Sequence, residues 1–369
     1  MQIKLVDLQK QYSSIKNEID EQIKNVINDT AFIKGEYVDN FEKEYSKSYG
    51  VKHVISCGNG TDAIFISLKA IGILPGDEVI TTASSWISTS ETITQAGGKP
   101  VFVDIEPDSY NIDSSKIEKK ITEKTKAIIP VHLYGNPANM DLIIAIAKKH
   151  GLYVIEDCAQ AHFAKWSNKN VGTFGIAGTF SFYPGKNLGA YGDAGCIITN
   201  DDDFAYRARL YSNHGQIKKH DHVIEGINSR MDGIQAAILS VKLKYINQWT
   251  QSRIQHANLY NELFNELKNI ICPVSHDLAR HVYHLYVIRV PKRDNLIQFL
   301  KEKNISTGIH YPNPLPALNA YKYLGYKRID YKVADSIKNE ILSIPLYPEL
   351  LNEEIEFVAD TINKFIKNY

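Results

Sequence analysis

Apolar positions in the first fifty residues recur at helical spacing. Ile15, Ile19, Ile23, Val26 and Ile27 form one stripe. Past residue 50 the pattern changes to short apolar runs separated by amphipathic stretches. The runs predict strands at 53–57, 78–82, 100–104, 127–131 and 152–155. The stretches between them predict helices at 61–71, 88–96, 114–121 and 141–149. Pro75-Gly76-Asp77 marks a turn before the second strand, and Gly97-Gly98 and Gly151 sit where two of the helices should stop. Two more strands are expected at 179–182 and 195–199, then a long helical stretch from about 231 to 267. A strand at 283–290 and helices at 295–302 and 353–367 complete the pattern.

Strands that are apolar throughout and alternate with helices imply a largely parallel α/β sheet covered on both faces. Residues 1–250, with the helical N-terminal segment, are expected to form a large α/β domain, and 251–369 a smaller C-terminal α+β domain. The boundary falls inside the long helical stretch. Lys+Arg and Asp+Glu both number 42, so the net charge of zero offers no electrostatic footprint for nucleic acid or an anionic membrane. No apolar run approaches the roughly 18 residues of a membrane helix. The N-terminus lacks the apolar core of a signal peptide, and a cytoplasmic location is expected. Cys57, Cys158, Cys196 and Cys272 form no C-x-x-C pair, so neither a metal site nor a disulfide framework is expected.

Open α/β sheets bind ligands beyond the carboxyl ends of their strands. After the first strand, Gly58-Asn59-Gly60-Thr61-Asp62-Ala63 opens a helix, where backbone N–H groups and the helix dipole favour an anion. The stretch also fits G-x-G-x-x-A, a dinucleotide pattern, which would make the chain a nicotinamide oxidoreductase. That reading needs an acid at the end of the second strand, where Thr81-Thr82-Ala83-Ser84 stands instead. After the 152–155 strand comes Glu156-Asp157-Cys158-Ala159-Gln160; Asp157 either caps a helix or faces a cation. Between the last two strands of the sheet, Lys186 is the one charge from Ser181 through Gly192, in a glycine-rich, apolar loop. A desolvated lysine has a depressed pKa and serves as a nucleophile toward carbonyls. Pyridoxal phosphate (PLP) needs this set: a lysine for its aldehyde, an acid for its ring nitrogen, and donors at a helix start for its phosphate. Trp86 either covers one ring face or packs in the core.

These segments resemble the DegT/DnrJ/EryC1/StrS group of PLP-dependent sugar aminotransferases. The resemblance runs over nearly the whole chain, through Phe32-Ile33-Lys34-Gly35, Pro130-Val131-His132-Leu133-Tyr134-Gly135, Glu156-Asp157-Cys158-Ala159-Gln160-Ala161-His162, Phe180-Ser181-Phe182-Tyr183-Pro184-Gly185-Lys186-Asn187 and Asn228-Ser229-Arg230-Met231-Asp232. It implies PLP-dependent transferase fold type I, the aspartate-aminotransferase architecture. It further implies that Lys186 is the Schiff-base lysine and proton carrier, and that Asp157 pairs with the ring nitrogen. Gln160 would lie near the ring hydroxyl, with Gly60, Thr61 and Ser181 on the phosphate and Trp86 stacked on the ring. Members are homodimers with shared sites, so Asn228 would reach the partner's phosphate; otherwise it caps the helix near Met231. The chain departs from the group at Phe163, where His-Gly-Ala is usual, and in the loop 165–170. His162 reads as structural.

Residues 187–193 are similar to those of enzymes that aminate C3 of a dTDP-linked 3-keto-6-deoxyhexose, as is His310-Tyr311-Pro312. His310, Tyr311 and Tyr183 are therefore expected at the sugar, with L-glutamate as amino donor. Action at C4, or on a UDP-linked sugar, is the alternative. The run Lys218–His222 either meets the diphosphate or is a solvated loop.

Overall fold

A computed structural model describes residues 2–267 and 269–367 of the chain; the outer limits of the two expected domains, residues 1 and 369, lie outside them. Seven strands form the central sheet: β1 (His53–Cys57), β2 (Glu78–Thr82), β3 (Lys99–Val103), β4 (Thr125–Ile129), β5 (Tyr153–Asp157), β6 (Ala177–Ser181) and β7 (Gly195–Thr199). Their order is β1-β7-β6-β5-β4-β2-β3. Pairings from β3 to β6 are parallel, and β7 runs antiparallel to both β6 and β1. The parallel strands therefore deliver their carboxyl ends to one edge.

Alternation along the strands assigns the two faces. Val54, Cys196 and Ile198 pack with Phe41, Tyr45 and Tyr49 of helix α2 (Glu36–Tyr49), which follows α1 (Leu8–Asn28). Ile55, Cys57 and Ile197 pack on the other side with Ile66 and Ala70 of α3 (Gly60–Ala70). The expected helix at 88–96 forms α4 (Ser88–Gln95), and that at 141–149 forms α5 (Met140–His150), capped by Asn139 and closed by left-handed Gly151. Helix α6 (Asp202–Tyr211), absent from the sequence reading, starts where Asp201 accepts the Phe204 N–H at 2.7 Å.

Three expectations need correction. The predicted helix at 114–121 is two short 3₁₀ turns, Ser114–Lys116 and Glu118–Lys120. Ile117 is its one fully buried apolar side chain, too little to nucleate and hold a helix face. The stretch 231–267 breaks into α7 (Gly233–Leu243) and α8 (Ile246–Phe264). The strand at 283–290 shrinks to β8 (Tyr286–Arg289), because Tyr283 has φ 45° and the His284 N–H turns aside to the Tyr134 carbonyl. β8 pairs antiparallel with β9 (Ile341–Ile344), a four-residue run too short to read from sequence. Helices α8, α9 (Arg293–Glu302) and α10 (Asn352–Lys367) cover this pair around Tyr260, Leu296, Leu342 and Ile362, and Ile3 joins that core.

Candidate active site

Asp157 ends β5 with its side chain buried. Thr89 Oγ1 donates to Oδ2 at 2.8 Å and the Ala159 N–H to Oδ1 at 3.1 Å. Burial raises its pKa, against those two bonds and the charges of Lys186 and His132. Thr89 was missed in the sequence; its signal was the run Ser88-Thr89-Ser90-Glu91-Thr92, whose buried hydroxyls on α4 require polar partners.

Lys186 lies on the loop from β6 to β7. Its side chain is half-buried, and among the described residues its amine makes no hydrogen bond or salt bridge. Desolvation pulls its pKa down to about 8, with Asp157 opposing the shift. Lys186 and Asp157 are thus electrostatic neighbours, and each is pushed toward its neutral form.

Gly60 and Thr61 open α3, where Asn59 accepts the Asp62 N–H at 2.8 Å. A Cβ on Gly60 would stand 2.6 Å from Ser181 Cβ, so glycine is what lets the helix start approach the end of β6. Thr61 Oγ1 and Ser88 Oγ lie 2.7 Å apart. The helix start and three hydroxyls, those of Thr61, Ser88 and Ser181, form the cradle.

Gln160 bridges two elements: its Oε1 accepts the Tyr134 N–H at 2.6 Å and its Nε2 donates to Tyr311 Oη at 3.0 Å. Tyr134 Oη in turn donates to the His310 carbonyl. Trp86 is 59% exposed, with its ring 5.7 Å from that of Tyr311, so it does not pack in the core. Tyr183 is equally open to solvent. His310 is neutral, held to about 4 first by burial and then by the charge of Lys186. His162 sits between Tyr45 Oη, 3.0 Å from Nδ1, and the Ser181 carbonyl, 2.9 Å from Nε2. These buried contacts fit a structural residue.

Asn228 stands apart. Its side chain is exposed and, among the described residues, makes no hydrogen bond. It does not cap α7, whose N-cap position is Asp232. The neighbouring Ser229 does reach the cradle: it accepts the Gly58 N–H at 2.9 Å and donates to Asp62 at 2.6 Å. The run Lys218–His222 is exposed.

His132, Glu156 and Cys158 bring three possible metal-ligand atoms within 4.8 Å of one another. Glu156 is already engaged by the N–H groups of Gly172, Phe174 and Gly175 and by His132. Burial keeps the Cys158 thiol protonated. The group locks the strand that carries Asp157. A nicotinamide site finds no acid at the end of β2: Glu78 begins that strand and holds Lys99 at 3.3 Å and Thr122 at 2.7 Å.

Sheet order, cradle, acid and lysine together define a PLP-dependent transferase of fold type I. A profile of the DegT/DnrJ/EryC1/StrS aminotransferase family matches residues 13–363, and the chain belongs to that family of PLP-dependent sugar aminotransferases. It is 48% identical, over the full length of both, to a "Pleiotropic regulatory protein" of Geobacillus stearothermophilus. It is 41% identical to a dTDP-3-amino-3,6-dideoxy-alpha-D-galactopyranose transaminase of Aneurinibacillus thermoaerophilus, covering 98% of this chain and 99% of that one. A UDP-N-acetyl-3-dehydro-alpha-D-glucosamine 3-aminotransferase of Acidithiobacillus ferrooxidans is 38% identical, covering 98% and 97%. Among solved structures, S. venezuelae DesV with a ketimine intermediate superposes with a TM-score of 0.97 at 34% identity, covering 99% of both chains. Among the described residues no helix is long and apolar enough to cross a membrane.

Proposed function

We propose that the chain transfers an amino group from L-glutamate to C3 of a dTDP-linked 3-keto-6-deoxyhexose, releasing 2-oxoglutarate and the 3-amino sugar. The observation that carries the aminotransferase chemistry is the unpartnered Lys186 amine, held to a pKa of about 8 beside the buried Asp157. The residues fit the cofactor. Asp157 is a buried acid with no salt-bridged cation among the described residues, and a protonated ring nitrogen would supply one. The cradle of Gly60, Thr61 and Ser181, joined by Ser88, suits a phosphate. When bound, PLP supplies an aldehyde for a lysine amine and a ring that withdraws electrons from the amino-bearing carbon. Lys186 holds and moves the proton at its Nζ. Asp157 would keep the ring nitrogen protonated, Gln160 would hold the ring hydroxyl, and Trp86 would cover the ring.

Tyr183, His310 and Tyr311 receive the sugar at the mouth of the site. Neutral His310 takes part as a hydrogen-bonding group rather than as a cation. In this reading Asn228 serves the phosphate site of a second copy, so the working unit is a homodimer. We also take residues 1–250 and 251–369 as the large and small domains, with α8 crossing from one to the other.

The similarity to a UDP-sugar 3-aminotransferase supports a second reading, in which the nucleotide is UDP. A coupled assay against a panel of dTDP- and UDP-linked 3-keto and 4-keto sugars, with the aminated carbon assigned by NMR, tests both. Amination of the dTDP-linked 3-keto sugar is expected; exclusive product at C4, or from a UDP sugar, overturns the first reading.

A further inference from the structure

The peptide just beyond Lys186 is fastened by a device that the chemistry above does not use. Asn187 is buried, and its Nδ2 donates to the Val282 carbonyl at 3.0 Å. That bond turns Oδ1 toward His284, whose Nδ1 lies 3.3 Å away. Oδ1 only accepts, so His284 carries its proton on Nδ1. The 282–284 segment is itself anchored: the Val282 N–H donates to the Gly135 carbonyl at 3.0 Å and the His284 N–H to the Tyr134 carbonyl at 2.8 Å. The Tyr134 N–H reaches Gln160. The rest of the lysine loop is held as firmly. The His162 imidazole bonds the Ser181 carbonyl at 2.9 Å, and Lys242 Nζ, fully buried, donates to the Gly189 carbonyl at 2.7 Å.

We propose that Asn187 and His284 are positioning residues that fix where the Lys186 amine sits, by tying the backbone beside it to the 282–284 segment. This rests on the reading of Lys186 as the lysine that bonds the cofactor. The amine is desolvated because its loop holds it in place. Once the tie is cut, the amine can reach water and its pKa moves toward an ordinary lysine value. The titratable groups whose charges couple to Lys186 are Asp157, His162, His284 and His310. Burial holds His162 and His310 to about 4 and His284 well below its ordinary value, so of these bases Lys186 is the one that titrates near pH 8.

The test uses apoenzyme mixed with pyridoxal phosphate, following the rate at which the yellow band appears as a function of pH. In the wild type the midpoint is expected near pH 8. In Asn187→Ala and His284→Leu the midpoint should rise by about one unit or more, and capture at pH 7.5 should slow on the order of 10-fold, with circular dichroism unchanged. His284→Asn places an amide donor near the lost Nδ1–H and should recover most of the rate. Should His284→Leu fail to fold, His284→Gln, with its donor displaced, carries the same expectation. Borohydride mapping of the wild type separates the two claims. Label on another lysine overturns the reading of Lys186 itself. Label on Lys186 with unmoved midpoints in folded variants overturns the positioning role alone.

Discussion

Asp157 shows how one residue's surroundings are matched to its task. Its carboxylate is buried and, among the described residues, accepts two hydrogen bonds, from Thr89 and Ala159, so its charge is under-compensated in the free protein. In the proposed reading Asp157 would meet a cationic ring nitrogen, which would relieve that cost. Asp157→Asn keeps the size and one acceptor but cannot stabilise the cation. We expect a folded protein that retains cofactor and loses on the order of 10²-fold in turnover. Near-normal steady-state rates would remove Asp157 from the site. Lys186, Asp157 and Ser181 were readable in sequence because charge and hydroxyl stand out against apolar surroundings. Thr89 and His284 were not, because a polar residue on a helix or in a loop reveals its partner only after folding.

Among the elements, α3 bears most directly on binding, because its first turn must approach β6 closely. Gly60→Ala puts a methyl group 2.6 Å from Ser181 Cβ, and either the helix start or the strand end must shift. The overpacking should cost about 1–3 kcal/mol in stability. It should also weaken pyridoxal phosphate affinity on the order of 10-fold, measured by titrating apoenzyme; unchanged affinity would place the phosphate elsewhere. The core strands at 53–57, 78–82 and 195–199 coincide with the reading from hydrophobic pattern, since the last two are buried at every position and the first at three of its five. The pattern failed where tertiary bonds decide. The stretch 114–121 is apolar enough to suggest a helix but buries too little to hold one. Residues 282–285 read as a strand, yet the N–H groups of Val282, His284 and Leu285 bond the 134–135 turn instead, and that of Tyr283 bonds the His281 ring.

For the whole molecule, the question is whether one chain makes a complete site. Asn228 is exposed while its neighbour Ser229 is tied to Asp62, so the segment is held in place with its asparagine turned outward. Mixing Lys186→Ala with Asn228→Asp, after verified subunit exchange, tests the shared site. If each site draws on both chains, one of the two sites in a mixed dimer is intact, and activity should recover toward roughly half per mixed dimer. No recovery would count against sharing, and a monomer by light scattering would end the idea.

The proposed aminotransferase chemistry runs through Lys186. Reduction of the pyridoxal-phosphate-loaded protein with borohydride, followed by digestion and mass mapping, tests it most directly. A yellow protein that bleaches on reduction is expected, with the cofactor's mass on the peptide containing Lys186 and no other. A colourless protein, or the label on a different lysine, would contradict it.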